Sequence, residues 1–410
     1  MSNVPTLINQ KADQCVKCGL CLPHCPTYRL FEDENESPRG RIALIQALAN
    51  QQIKPSDTLR RHLNHCLGCR NCERLCPSGV DYAFLLDHSR LMLNPKATIR
   101  GLGLTSNKTA QRVLQTLLYA YQRSGLQRLL RLSGILKLLH LQHLDALLPT
   151  IPPYQALKRD YPARGQSRGR LGLFTGCTGQ LFDQVTLQKT IALLQHLGYE
   201  VVIPENQTCC GALHQHQGQI DSARALASRN LQAFEGLDTI IYIASGCGAQ
   251  LHDYSKLFGA DDSDYTRALT FTPTVKEVTT FLADEDLGSL HLTPLARRVA
   301  IHTPCSMRNA LRGKDASHAL LGHIPDLQIE TIPAETGCCG AAGSYMITEA
   351  STAAAIRQTT LDAISQRKVD LVSTINIGCG LHLQAGLAGK TPYTHPVALF
   401  VGQVTGLKSV

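Results

Sequence analysis

Cys15-Val-Lys-Cys18-Gly-Leu-Cys21-Leu-Pro-His-Cys25-Pro26 is answered later in the chain by Cys66-Leu-Gly-Cys69-Arg-Asn-Cys72-Glu-Arg-Leu-Cys76-Pro77. Both runs space their thiols as C-x2-C-x2-C-x3-C-P. Three thiolates this close can wrap one corner of an iron–sulfur cube while backbone N–H groups point at its sulfurs. The proline then turns the chain away. In two-cluster proteins with this spacing the fourth cysteine serves the other cluster. We therefore expect two [4Fe–4S] clusters. One would sit on Cys15, Cys18, Cys21 and Cys76, the other on Cys66, Cys69, Cys72 and Cys25. Paired zinc sites fit poorly, because zinc modules rarely crowd four cysteines in this way. Neighbouring clusters pass electrons singly.

The chain holds 16 cysteines, and the other eight fall in two further sets. Each set is a lone cysteine, a Cys-Cys-Gly, and another lone cysteine: Cys177, Cys209-Cys210-Gly211 and Cys247, then Cys305, Cys338-Cys339-Gly340 and Cys379. All eight are candidate metal ligands. Neighbouring side chains on extended backbone point apart, so vicinal thiolates do not easily chelate one ion. They suit different irons of a cluster, or a division between ligation and redox work. The following glycine would let the backbone approach the metal. An additional iron–sulfur cluster per set, a structural zinc and a dithiol pair all remain open. His382, three residues after Cys379, is a candidate extra ligand where the first set has Gln250. His214 and His216 rank below it.

These sets lie in an internal repeat. Gly169-Arg-Leu-Gly-Leu-Phe-Thr-Gly-Cys177 matches Arg298-Val-Ala-Ile-His-Thr-Pro-Cys305, each read as a strand entering a cysteine turn. Further strands are expected over 198–203, 238–246, 329–332 and 370–378, with helices over 223–234 and 350–365. Alternating strands and helices predict two α/β units with parallel sheets and cysteines just past the strand ends. The fold class is thus α/β, preceded by a helix-rich two-cluster ferredoxin unit. Ser37-Pro38 predicts a helix start running to about Asn50, and a second helix should follow Pro77. The expected domains are 1–95 (ferredoxin type), 96–165 (basic helical linker), 166–285 (first Cys-Cys-Gly unit) and 286–410 (second).

The linker is Leu-rich and basic. Residues 96–170 carry 13 Lys/Arg against 2 Asp/Glu, so most of the formal charge of +8 resides there. Its leucines recur at three- and four-residue intervals, broken near Ser124-Gly125 and Ser133-Gly134. Aromatic residues are too sparse for a nucleic-acid surface, which leaves a solvated face, docking to an acidic flavoprotein, or peripheral contact with an anionic membrane. Residues 1–14 lack the apolar core of a signal peptide. Unpaired thiols at this density predict the reducing cytoplasm, with peripheral attachment at the inner membrane as an option. With no phosphate loop, dinucleotide fingerprint or Ser/His/Asp set in the sequence, no catalytic residue is assigned.

Several phrases together resemble the iron–sulfur subunit of glycolate oxidase (glycolate dehydrogenase): Cys25-Pro-Thr-Tyr28, Ser37-Pro-Arg-Gly-Arg41, Cys69-Arg-Asn-Cys-Glu73, Cys76-Pro-Ser-Gly79, Ala244-Ser-Gly-Cys-Gly-Ala249, Cys338-Cys-Gly-Ala-Ala-Gly343, and Asn376-Ile-Gly-Cys379 with His382-Leu383. The architecture is also similar to the iron–sulfur subunit of anaerobic glycerol-3-phosphate dehydrogenase, to lactate-utilisation proteins and to heterodisulfide reductase subunits. The resemblance implies an electron-transfer subunit with two [4Fe–4S] clusters on the eight amino-terminal cysteines. A partner carrying FAD would oxidise the 2-hydroxy acid, with electrons passing on to a quinone-type acceptor. Heterodisulfide reductase domains end in Cys-x-x-Cys, and both repeats here lack the second cysteine. That departure weakens the alternative of a thiol/disulfide reductase.

Overall fold

In the computed structural model, residues 4–93, 107–336 and 338–407 are described. The boundary expected at residue 95 lies outside them. The amino-terminal unit is helical. Helix Pro38–Ala49 begins where expected: Ser37 accepts the Gly40 N–H at 2.9 Å and Pro38 fills the first turn. Helix Tyr82–Leu93 follows the second cysteine run. Together with helices Val4–Ala12 and Asp57–Asn64 they bury Ile8, Ile45, Leu63, Leu85 and Leu86. That small core holds the two cysteine loops at one edge.

Helix Lys108–Arg123 opens the linker, capped by Asn107 on the Ala110 N–H. Helices Leu126–Leu132 and Ile135–Leu138 follow, each entered through a glycine of positive φ, Gly125 at 80° and Gly134 at 74°. The breaks fall where the sequence places them. The packing does not follow the hydrophobic stripe. Leu117 and Leu129 are 62% exposed, Leu132 77% and Leu138 78%, whereas Gln115 and Asp145 are buried. Gln115 donates to Gln184 and Pro152, while Asp145 accepts from Tyr121, Gln127 and Arg131. The linker is pinned by polar bonds, and although Leu136 is buried, several of its leucines face outward.

Two sheets follow. The first contains β1 (Asp160–Tyr161), β2 (Gly169–Phe174), β3 (Tyr199–Val202), β4 (Ile240–Tyr242) and β5 (Val275–Glu277), in the order β1-β3-β2-β4-β5. All of its pairings are parallel except β1 on β3. Because β1 belongs to this sheet, the first α/β unit extends into the stretch expected as linker. The second sheet contains β6 (Arg298–Ile301), β7 (Gln328–Thr331), β8 (Leu371–Ser373) and β9 (Tyr393–Thr394), all parallel, in the order β7-β6-β8-β9.

Each repeat lends a helix to the other. Pro396–Val401, ending the second repeat, packs on Gln184–His196 of the first; Val278–Ala283, following β5, packs on Ser317–Gly322 of the second. One apolar core therefore runs through both sheets, including Leu173, Ile191 and Ile241 with Val299, Ile301 and Phe400. His395 Nε2 bonds the Ile243 carbonyl at 2.9 Å across the same junction. Among the described residues, no helix is long and apolar enough to cross a membrane.

Candidate metal centres

The phrase Ser37-Pro-Arg-Gly-Arg41 builds the support beneath the ferredoxin cysteines. Arg39 bonds Glu34 and reaches the Lys17 carbonyl at 3.1 Å, holding the first cysteine loop. A Cβ on Gly40 would lie 1.9 Å from the Glu34 carbonyl oxygen, so only glycine lets the chain pass. Arg41 is buried. It pairs with the Glu36 carboxylate and donates to Thr27 Oγ1 at 3.0 Å and the His62 carbonyl at 2.7 Å. Glu36 also takes His62 Nδ1 at 2.7 Å and His65 Nδ1 at 3.0 Å. A buried ion pair is retained only when its remaining donors and acceptors are satisfied, as they are here. Thr27, bonded by Arg41, lies 3.3 Å from Cys25 Sγ.

The eight ferredoxin-type cysteines line two adjoining cavities. Cys15, Cys18, Cys21, Cys72 and Cys76 face one, together with Leu20, Ile42 and Val80. Cys25, Cys66, Cys69 and Cys72 face the other, beside Arg41 and Leu67. The last cysteine of each run thus reaches the cavity of the other run. Tyr82 borders both, and its hydroxyl donates to Cys66 Sγ at 3.6 Å. The Gly68 N–H points at the same sulfur, 3.5 Å away. Burial pushes the Cys21 thiol up to about 11 and those of Cys69 and Cys72 well above the ordinary value. Crowded, half-buried thiols that resist ionising are a donor set suited to a cationic centre, because coordination holds sulfur as thiolate. The residues present therefore fit iron–sulfur clusters.

All four cysteines of each later set also converge. Cys177 opens helix Cys177–Phe182 after β2, Cys209 and Cys210 follow β3, and Cys247 lies in helix Ser245–His252 after β4. Cys177 Sγ is 3.5 Å from Cys209 Sγ, and Cys210 pairs with Cys247. In the second set Cys305 pairs with Cys338, and Cys339 Sγ lies 2.8 Å from Cys379 Sγ. The vicinal thiols do turn to opposite partners. The glycine after each pair works differently from expectation: Gly211 (φ 92°) and Gly340 (φ 82°) press against the helices Ile220–Ala233 and Ala350–Gln366. Added Cβ atoms there would stand 3.3 Å from the Ala223 backbone and 2.4 Å from the Ala353 carbonyl oxygen. The close approach is to a helix, and it fixes the turn that presents the thiols.

The thiol shifts are distributed differently in the two sets. In the first, hydrogen bonds from Cys177 and then Cys210 draw Cys209 well below the ordinary thiol value, against the opposing effect of burial. In the second, all four thiols are raised. Location separates them too. Asn309, on the helical segment Ser306–Leu311 after Cys305, donates to the Cys69 carbonyl at 2.8 Å and accepts from Arg74 at 2.9 Å. Cys69 lies within electrostatic range of Cys305 and Cys338. The first repeat meets the ferredoxin unit through Arg70–Asp253, Arg90 on the His216 carbonyl, and Gln215 on Asp87.

The histidines have different surroundings. His382 Nε2 is 3.2 Å from the Ala353 carbonyl, and Arg357 stands beside Nδ1. Burial lowers this ring to about 4, with Arg357 adding to the shift. His214, ranked below it, is buried next to Cys209 and contributes to that thiol's depressed value. His216 Nδ1 stands 3.6 Å from the Asp87 carboxylate, and Gln250 donates to Gln215. The network of Thr27, Glu36 and Arg41 was not singled out from sequence; its one signal was the run of polar residues around Ser37.

Residues 11–80 match the 4Fe-4S dicluster domain, and residues 171–252 and 299–384 each match the cysteine-rich (CCG) domain. Residues 102–148 match the linker region of the glycolate oxidase iron-sulfur subunit. The probable glycolate oxidase iron-sulfur subunit of Bacillus subtilis (strain 168) is 35% identical over 406 residues, covering 93% of this chain and 91% of that protein. The chain belongs to the glycolate oxidase iron–sulfur subunit family. The Escherichia coli (strain K12) glycolate oxidase iron-sulfur subunit is 30% identical over 396 residues, with the same coverage of both chains. Lactate utilization protein A of Geobacillus kaustophilus is 29% identical across 53% of this chain and 92% of its own length. Within the glycolate oxidase subunit family, the CCG matches coincide with the two halves of the internal repeat, and the linker match covers the basic helices.

Proposed function

We propose that the chain is the electron-transfer subunit of a flavin-dependent 2-hydroxy-acid dehydrogenase acting on glycolate. It would take electrons from an FAD-containing partner and deliver them to a quinone-type acceptor. The observation that carries this reading is the crossed pair of cysteine-lined cavities, adjoining each other and the second Cys-Cys-Gly set. We assign Cys15, Cys18, Cys21 and Cys76 to one [4Fe–4S] cluster and Cys66, Cys69, Cys72 and Cys25 to the other. Such clusters, when bound, accept and release single electrons. The chain's own residues set spacing and surroundings: Arg41 and Glu36 brace Cys25, Tyr82 stands between the cavities, and Asn309 clamps Cys69 against the segment bearing Cys305. Each Cys-Cys-Gly set is read as a further metal centre, with iron favoured over zinc, and the 2-hydroxy-acid site is placed on the partner.

The exposed leucines and arginines of the linker are assigned to an anionic membrane face in the cytoplasm, near the quinone pool. Cationic amphipathic helices bind such surfaces through combined apolar and charge terms. The test is to purify the chain anaerobically with its flavoprotein and follow glycolate-dependent reduction of a short-chain quinone. Reduction should require this chain and fail in Cys25→Ser. Equal quinone reduction by the flavoprotein alone would overturn the assignment.

A further inference from the structure

The first Cys-Cys-Gly set has a neighbour that its sequel lacks. Directly after Gly211 the chain turns into the short helix Ala212–Gln215, closed by the His214 N–H on the Gly211 carbonyl at 3.0 Å. That turn carries the His214 imidazole inward, where the residue is 6% exposed. The ring is close enough to Cys209 to act on that thiol as a hydrogen-bonding neighbour, and its Nδ1 is buried without a hydrogen bond of good geometry. A buried polar nitrogen without a partner costs free energy, and histidine nitrogens in such positions are satisfied well by a metal. Four thiols already converge at this place.

The second repeat does not reproduce this. Counting on from its Cys-Cys-Gly, the position of His214 is occupied by Gly343. Its own nearby imidazole, His382, is engaged with the Ala353 carbonyl and has a guanidinium beside Nδ1. The two loops touch: a Cβ on Gly343 would lie 2.8 Å from Leu213 Cδ2. Equivalent places in the two repeats thus carry different donors.

We propose that His214 is a nitrogen ligand of an iron centre held by Cys177, Cys209, Cys210 and Cys247, so that the first centre has mixed sulfur–nitrogen ligation and the second is sulfur-only. This rests on the reading of the first set as an iron centre. At that additional position a neutral imidazole brings less negative charge than a thiolate would, so the centre takes up an electron more readily than it would with a fifth sulfur there.

The experiment is pulsed EPR on the dithionite-reduced full chain, prepared anaerobically with 15N-labelled histidine, alongside iron analysis. A directly coordinated imidazole coupling is expected in the wild type, absent from His214→Gln and Cys247→Ser, and kept in His382→Gln and Cys379→Ser. His214→Cys should keep its iron, lose the coupling and show a lower midpoint potential. Iron that depends on Cys247 without an imidazole coupling, or a coupling that survives His214→Gln, overturns the ligand. Iron content unchanged by Cys247→Ser, or zinc in its place, overturns the first-centre reading and the ligand with it.

Discussion

The two Cys-Cys-Gly repeats share a strand order, a cysteine pattern and a core, yet they stand differently toward the ferredoxin unit. The second is clamped to it at a ligand loop, through Asn309 on the Cys69 carbonyl, with Cys305 and Cys338 beside Cys69. The first touches it through helix Tyr82–Leu93, whose Leu91 packs against the cluster holding Cys177, Cys209 and Cys210, and through the Arg70–Asp253 pair. The repeat presents two similar cysteine sets, and docking brings Cys305 and Cys338 of the second within electrostatic range of Cys69.

Removing one cysteine from each repeat is the sharpest way to break this comparison. Cys305→Ser should nearly abolish electron delivery to the acceptor while the partner's flavin is still reduced by glycolate. Cys177→Ser should leave most of the delivery intact. Equal losses in stopped-flow traces would mean that docking does not set the route.

Next in size is the ion pair below the second cavity. Arg41→Met leaves Glu36 buried without its main partner, and breaking such a pair costs about 3–5 kcal/mol. Thermal unfolding should show the ferredoxin unit melting early with loss of iron, while the paired α/β units hold.

The junction between repeats responds to acid. Burial lowers His395 to about 4 from an ordinary 6.5, so the fold binds the neutral ring. The stability it contributes is full above about pH 6.5 and is lost as pH falls through about 4, at most about 3 kcal/mol for a shift of this size. Melting curves against pH should flatten in this window for His395→Gln, whose amide can still donate to Ile243. An unchanged pH profile would contradict the burial argument.

The repeats should behave alike at one place. Gly248 and Gly380, each following a lone cysteine, face the Tyr242 and Tyr393 rings at 2.2 and 2.5 Å from an added Cβ. Alanine at either should cost about 1–3 kcal/mol by overpacking. At the small end, Leu132→Gln with Leu138→Gln should shift stability by no more than about 0.5 kcal/mol, since both are exposed. The same pair should weaken flotation of the full chain with anionic vesicles at low salt; unaltered flotation would remove the linker from membrane contact.

Much of this was legible in the chain itself. Thiol spacing, the Ser37-Pro38 helix start, the glycine breaks in the linker and the strands leading to each cysteine are local signals, carried by residues close in sequence. Strands β1, β5 and β9 were not legible, because two or three residues at a sheet edge leave no periodicity. The outward-facing leucines escaped as well: an amphipathic pattern says that a helix has two faces, not which one the protein covers.

What the amino-acid order determined alone is the cysteine inventory with its spacing and the elements that carry it, since thiol spacing and helix capping act over a few residues. Which cysteine sets adjoin, how each repeat meets the ferredoxin unit, and what surrounds His214 and His382 were decided by the fold. Those contacts join residues far apart in the chain, and their geometry depends on how sheets and helices pack together.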